Sequence, residues 1–212
     1  MTALAVTDET LLSFASEVGD TGPVAVAGGR TRWEVGGSLA DAARVLDAPR
    51  GIVDYRPEEM TVQVRAGTPV AELHAELAAR GQRTALPERG GTVGGALAVG
   101  ENDLCSLGRG TVTVSALQVR YVSAEGEVVT GGGPVVKNVS GFNLPKLMVG
   151  SMGTLGLLAE AVLRTNPIPP ASQWVTVTGC APAAVFDAVL RPSCVLWDGI
   201  RTWVQLEGHG GD

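Results

Sequence analysis

The stretch GGTVGGALAVG runs from Gly90 to Gly100 and places five glycines in eleven residues. Glycine loses more backbone freedom on folding than any other residue, so a cluster this dense implies tight turns or a close backbone approach. Two further runs, AGGRTRWEVGG (27–37) and GSMGTLGLL (150–158), stand in the same way beside apolar stretches. None of the three fits G-x-G-x-x-G, and no segment fits G-x-x-x-x-G-K-[ST], so spacing excludes the Rossmann and P-loop readings. Successive backbone N–H groups in a glycine turn form a nest that binds anions well. The plainer alternative is a set of turns in a glycine-rich fold, and three clusters in one unit weigh against it.

Outward from the cluster, the pattern alternates between helix and strand. On its N-terminal side, Leu11, Phe14, Ala15 and Val18 recur at helical spacing and predict an amphipathic helix over Thr7–Gly19. PVAVAGG (23–29) reads as a buried strand entering a turn, and Leu39–Leu46 reads as a helix. Strands are expected at Gly51–Asp54 and Thr61–Ala66, the second alternating Val62 and Val64 with Gln63 and Arg65. Thr68-Pro69 predicts a helix start, with Thr68 as N-cap and Pro69 at the first helical position. Val70, Leu73 and Leu77 form its buried stripe, and His74 falls on or beside it, where a structural or surface histidine is a better reading than a catalytic one.

On the C-terminal side, LQVRYVSAEGEVV (117–129) predicts a hairpin, and KNVSGFNLPKLMVGS (137–151) a loop and a short helix with Pro145 near its start. LGLLAEAVLRT is halted by NPIPP, whose Pro167, Pro169 and Pro170 mark the clearest boundary. WVTVTG, a helix from about Ala181 to Leu190, CVLWDG and TWVQLEG then predict strand–helix–strand–strand. A unit this small leaves two half-exposed faces, so residues 171–212 are expected to be an incomplete second domain.

Bulk composition narrows the function. With 45% apolar residues, 29 glycines and only nine aromatics among 212 residues, the core is built of Val, Leu and Ala. A net charge of −6 argues against nucleic-acid binding and against attraction to anionic membranes. Cys105, Cys180 and Cys194 lie far apart with no Cys-x-x-Cys spacing, so no iron–sulfur or zinc site is expected. The opening MTALAVTDETLL predicts no signal peptide, and no run approaches the ~20 apolar residues of a spanning helix, so a cytoplasmic location is expected, with any membrane association through partner subunits. Two histidines support neither a Ser-His-Asp triad nor a metal site. Many backbone donors and few reactive side chains point to a cofactor that carries the chemistry.

The series GGRT, RAGTP, GTVGGALA and VVKNVSGFNLPKLMVGSMGTLG resembles the FAD-binding domain of the vanillyl-alcohol oxidase / p-cresol methylhydroxylase type over about Val24 to Pro170. Within that family it is most similar to FAD-binding E subunits of bacterial glycolate oxidase (glycolate dehydrogenase). The resemblance implies an α+β fold of two subdomains, about 1–66 and 67–170, with FAD extended between them, followed by the start of a cap domain at 171–212. It implies that Ala27, Gly28, Gly29, Arg30 and Thr31 hold the pyrophosphate. Thr92, Val93, Gly94, Gly95 and Gly100 are implied to let the backbone run against the cofactor, and Gly153, Thr154, Gly156 and Leu157 to approach its adenine half. Lys137 is either a positioning group beside the cofactor or a surface lysine. No His occurs between residues 27 and 37, so the FAD is expected to be non-covalent. Thr113-Val114 replaces the Arg-Asp pair common in relatives, and no catalytic base is assigned. The implied partners are a larger flavin subunit, an iron–sulfur subunit and a small 2-hydroxy acid. A non-catalytic FAD-holding subunit and a stand-alone D-lactate-type dehydrogenase remain alternatives. On this reading Gly94→Val or Gly95→Val empties the flavin site and leaves the fold intact.

Overall fold

A computed structural model describes residues 8–134 and 143–209. Helix α1 (Glu9–Val18) starts at Asp8, whose carboxylate accepts from the amides of Thr10 and Leu11 at 3.1 and 3.3 Å. Its buried residues are Leu11, Phe14, Ala15 and Val18, the stripe that the spacing predicts. Strand β1 (Val24–Ala27) follows and pairs in parallel with β2 (Arg44–Asp47). The helix expected over Leu39–Leu46 is therefore not formed. Its residues favour helix intrinsically, but pairing with β1 overrides a weak local preference, and Arg44 is fixed by bonds to the carbonyls of Glu17 and Val18.

The remaining elements follow in order: β3 (Ile52–Arg56), β4 (Thr61–Arg65), α2 (Val70–Ala78), β5 (Gln82–Arg83), α3 (Val93–Val99), α4 (Ser106–Arg109), α5 (Val112–Ser115), β6 (Ala116–Val122), β7 (Val128–Gly132), α6 (Leu144–Met148), β8 (Leu157–Arg164), β9 (Asn166–Pro167), β10 (Ala171–Thr178), α7 (Pro182–Ala188), β11 (Cys194–Trp197) and β12 (Arg201–Gly208). The predicted hairpin is β6–β7, and the final strand–helix–strand–strand order is as expected. Helix α2 starts one residue later than predicted, with Pro69 as N-cap. Thr68 does not cap it. Its hydroxyl instead accepts from Gly51 N–H at 2.9 Å, tying the two chain segments together.

A five-stranded antiparallel sheet, ordered β3–β4–β8–β6–β7, forms the centre. It draws β3 and β4 from before residue 66 and its other strands from after it, so the sheet crosses the expected subdomain division. On one face Val62, Val64, Val119, Ala161 and Leu163 pack against Val70, Leu73 and Leu77 of α2 and Val93, Ala96 and Leu97 of α3. Burying each large aliphatic side chain contributes roughly 1.5–3 kcal/mol. Helix α1 builds a second cluster with Val122 and Ala159.

On the other face of β4, Gln63 is half-buried and Arg65 buried, where a half-buried strand would expose both. They meet Glu160, which is 1% exposed. Its carboxylate pairs with Arg65 at 2.7 Å and Arg120 at 3.0 Å, both directly cross-strand, and accepts from Gln63 at 2.7 Å. Arg65 also reaches Asp8, holding that carboxyl below its ordinary range and tying the start of α1 to the sheet.

The last sheet, β10–β12–β11, is seated on the rest of the chain by polar contacts. Arg83 grips Glu207 with two hydrogen bonds of 2.8 and 2.6 Å, and Ser193 donates to the same carboxylate at 3.0 Å. Cys105 and Cys194 are buried beside this seat, and burial pushes the Cys105 thiol up to about 12. Among the described residues no helix is long and apolar enough to cross a membrane.

Two outcomes follow from this packing. Glu160→Ala leaves the buried Arg65 and the half-buried Arg120 without their shared carboxylate and should cost about 3–5 kcal/mol in urea unfolding. Ellman's reagent at pH 8 should titrate one thiol in the native protein, the partly exposed Cys180, and all three in denaturant.

Candidate functional site

The glycine clusters meet in space. A Cβ on Gly28 would lie 2.3 Å from the Thr92 hydroxyl, one on Gly29 2.9 Å from Gly91 Cα, and one on Gly91 2.5 Å from the Thr31 hydroxyl. The loop after β1 and the loop before α3 thus interlock with no room for side chains. The Gly90–Gly100 cluster is a helix and its approach rather than a loop. Thr92 caps α3, accepting from Gly95 N–H at 3.3 Å, and Gly100 ends it in a left-handed conformation, φ +71°.

The start of α3 is docked on the end of β4. Val93 N–H donates to Thr68 O at 2.9 Å and Gly94 N–H to Ala66 O at 2.7 Å. With Gly95 bonded to Thr92, the first amides of α3 are used internally. Those of Gly29, Arg30 and Thr31 are not: among the described residues no carbonyl or side chain accepts from them. The unused backbone donors of this region therefore lie in the first loop.

Beside that loop is a cleft of about 300 Å³, into which Gly28, Gly29, Arg30, Thr31, Thr92, Gly95, Gly153 and Leu157 face, all foreseen from sequence. Ala27, Gly94 and Gly156 line a smaller, adjoining recess. The remaining expected residues stand elsewhere. Val93 is fully buried in the core, Gly100 abuts Gly150, and Thr154 is exposed with its hydroxyl donated to Ser151 O at 2.7 Å. Lys137 lies outside the described residues. Gly94 and Gly95 also differ from each other. A Cβ on Gly94 would sit 2.7 Å from that of Ala66, whereas one on Gly95 meets nothing closer than the Thr92 hydroxyl at 3.4 Å. Gly94 therefore serves packing, and Gly95 keeps the cleft open.

Sequence reasoning missed Arg32, Trp33 and Met152, which also line the cleft. Trp33 lies under the Arg30 guanidinium, 5.1 Å from it. Arg32 is 10% exposed, ion-paired through Nε to Glu101, and bonded through Nη1 to Gly90 O at 2.9 Å and the Thr31 hydroxyl at 3.0 Å. Its Nη2 is buried and has no hydrogen-bond partner among the described residues. Two arginines in one glycine turn of an acidic chain were the available signal. They are the only charged groups lining the cleft among the described residues. His74 lies apart, in a cavity of about 490 Å³. Its Nε2 is 2.8 Å from the Thr84 hydroxyl, and burial lowers its pKa, consistent with a structural neutral imidazole.

These features fit a long anionic cofactor: free amides, fixed cationic groups, and a wall from which a Cβ is absent. The family model described as FAD binding domain matches residues 5–132. The chain is 33% identical to glycolate oxidase subunit GlcE of Escherichia coli (strain K12) over 92% of its own length and 58% of that protein's. It is also 33% identical to a D-2-hydroxyglutarate dehydrogenase of Xanthomonas citri pv. viticola, over 70% of its length and 33% of the relative's. Its fold matches a solved alkyldihydroxyacetonephosphate synthase with a TM-score of 0.71 at 18% identity, over 93% of this chain and 47% of that one. The chain thus spans about a third to about half of the proteins it matches. It belongs to the FAD binding domain family.

The two neighbouring glycines give a direct test of the cleft. Gly94→Ala forces the docked helix off β4 and should cost about 1–3 kcal/mol in thermal or urea unfolding. Gly95→Val should leave the melting temperature within a few degrees of the parent and abolish the stabilisation that added FAD gives.

Proposed function

We propose that this chain, as a member of the FAD binding domain family, holds FAD non-covalently along the Gly28–Thr31 and Gly95 cleft. On this reading it is the flavin-binding subunit of a complex that oxidises glycolate or a similar small 2-hydroxy acid. The observation that carries the cofactor assignment is the pairing of unused amides at Gly29–Thr31 with a wall that Gly95 leaves bare. The similarity to a glycolate oxidase subunit supports the substrate class. Bound FAD supplies the hydride acceptor, a chemistry no side chain here provides.

The chain's own residues bind and orient. The Gly29–Thr31 amides face the diphosphate, where backbone donors cost no side-chain entropy to fix. Leu157 and Met152 also line the cleft and would offer the cofactor apolar contact. The absence of any histidine in the first loop supports a non-covalent cofactor. Electrons leaving the flavin pass, in this proposal, to an iron–sulfur subunit, and a larger flavin subunit completes the assembly.

One observation favours a second reading, in which the chain holds FAD without turning over substrate. Among the described residues, no histidine, carboxylate, tyrosine or lysine lines the cleft, so no proton acceptor is in place there. Purification of the chain alone and with its partner subunits separates the two. Flavin absorbance is recorded, then bleaching on addition of glycolate, D-lactate or D-2-hydroxyglutarate with an artificial electron acceptor. Bleaching by the chain alone with glycolate is the expected result. Bleaching only with partners present supports the FAD-holding role, and a chain that takes up no FAD overturns both.

A further inference from the structure

The cleft is electrostatically at odds with the chain that forms it. The protein carries a net charge of −6, yet the charged residues lining the cleft are Arg30 and Arg32, with no carboxylate among the described lining residues. The two arginines are held differently. Arg30 is exposed and lies over the Trp33 ring. The Arg32 side chain is nine-tenths buried and fixed at three points: Glu101 on Nε, and Gly90 O and the Thr31 hydroxyl on Nη1. Glu101 is in turn fixed by Arg89 at 2.6 Å. An arginine has five N–H donors in one rigid plane. Here two of its nitrogens are satisfied, and the third, Nη2, is buried without a partner.

An unpaired buried donor on a charged group costs more than a neutral one. Arg65, Arg83, Arg109 and Arg120 each carry such a nitrogen as well, but of the five only Arg32 lines the cleft. The Arg32 plane spans the same two glycine loops whose interlock creates the cleft, and it belongs to the loop with unused amides. We propose that Arg32 is a preorganised binding residue for the diphosphate of the dinucleotide, its Nη2 edge completing the donor set begun by the amides of Gly29, Arg30 and Thr31. Glu101 acts as a positioning residue: by holding Nε it fixes the plane of the guanidinium. This rests on the FAD reading above and adds a side chain to a site otherwise built of backbone.

The charge of Arg32 distinguishes this from a purely structural role. ADP and FAD contain the diphosphate, and riboflavin does not. Binding of all three is measured by calorimetry on the full chain, at several salt concentrations, together with the melting temperature of the ligand-free protein. Arg32→Gln, which keeps a donor to Gly90 O, should weaken ADP and FAD about tenfold to a hundredfold. It should also flatten their salt dependence and leave riboflavin within twofold. Arg32→Lys restores the charge and recovers most of the salt dependence, with affinity several-fold below the parent because a point charge replaces a two-edged plane. Unchanged ADP affinity and salt dependence in Arg32→Gln overturns the assignment while the FAD reading stands. Where Arg32→Gln fails to fold, Arg32→Lys decides alone, and unchanged ADP affinity in it overturns the role of the planar edge. A parent chain that binds neither ADP nor FAD overturns the FAD reading itself.

Discussion

The contact on which the cleft depends is backbone against backbone: Gly29 beside Gly91, with Gly28 against the Thr92 hydroxyl. These loops are some sixty residues apart in sequence, and any side chain at the contact would part them. Their approach fixes the small α1–β1–β2 unit against the large sheet and sets the width of the cleft between them. It also assigns work to each loop. The second loop spends its amides on Ala66 and Thr68, because α3 must be docked to hold its place. The first loop, standing on a two-stranded edge, has no such obligation and leaves its amides unused. The unused amides here therefore belong to a turn and not to the start of a helix, although both are present.

Two buried charge clusters show what completion means in this fold. Glu160 lies at the meeting of three strands and is met by Arg65, Arg120 and Gln63. Its two arginines come from directly opposite positions of the ladder, so the sheet register itself provides the neutralising charges. Arg32 is held as firmly, by Glu101, Gly90 O and the Thr31 hydroxyl, but it stands at the edge of the cleft. The first cluster lies within the sheet and the second beside the cleft, and the difference is one of place rather than of pairing. The net charge of the chain does not decide the matter. Surface carboxylates are screened over ~8–10 Å at ordinary ionic strength, while a buried guanidinium acts at contact distance.

Much of this was legible in the sequence, and what was not has identifiable causes. The stripes of α1 and α2, the alternation of Val62 and Val64 and the β6–β7 hairpin follow from apolar period, and each is found where the period puts it. The glycine runs marked the cleft because close approach has a compositional signature. The Leu39–Leu46 segment misled because helix-forming residues there are recruited by β1, a contact no local pattern records. Helix α3 was hidden by its own glycines, although Thr92 and Gly100 carried its start and stop signals. Gly94 and Gly95 looked equivalent because adjacent helical residues point about 100° apart, and only the third dimension shows one facing Ala66 and the other the cleft. Arg32 went unread for a related reason: its significance lies in which of its nitrogens remain unpaired.

One short segment links the cleft to the final sheet. Within Gly100–Gly110, Glu101 holds Arg32, while Asp103, Cys105 and Arg109 face the seat of β12. Gly108 allows that seat, since a Cβ there would strike Ser193 at 2.3 Å from its hydroxyl. Burial alone would raise the Glu207 carboxyl, but Arg83 beside it, with Ser193 and Arg109, holds it below its ordinary value, so it stays ionised and gripped at neutral pH. The final sheet is thus fastened by charge rather than by a large apolar interface, onto Arg83 and onto the same eleven residues that orient the arginine of the cleft. In this fold, seating the last strands and aligning the cationic group beside the first loop are consequences of one segment's placement.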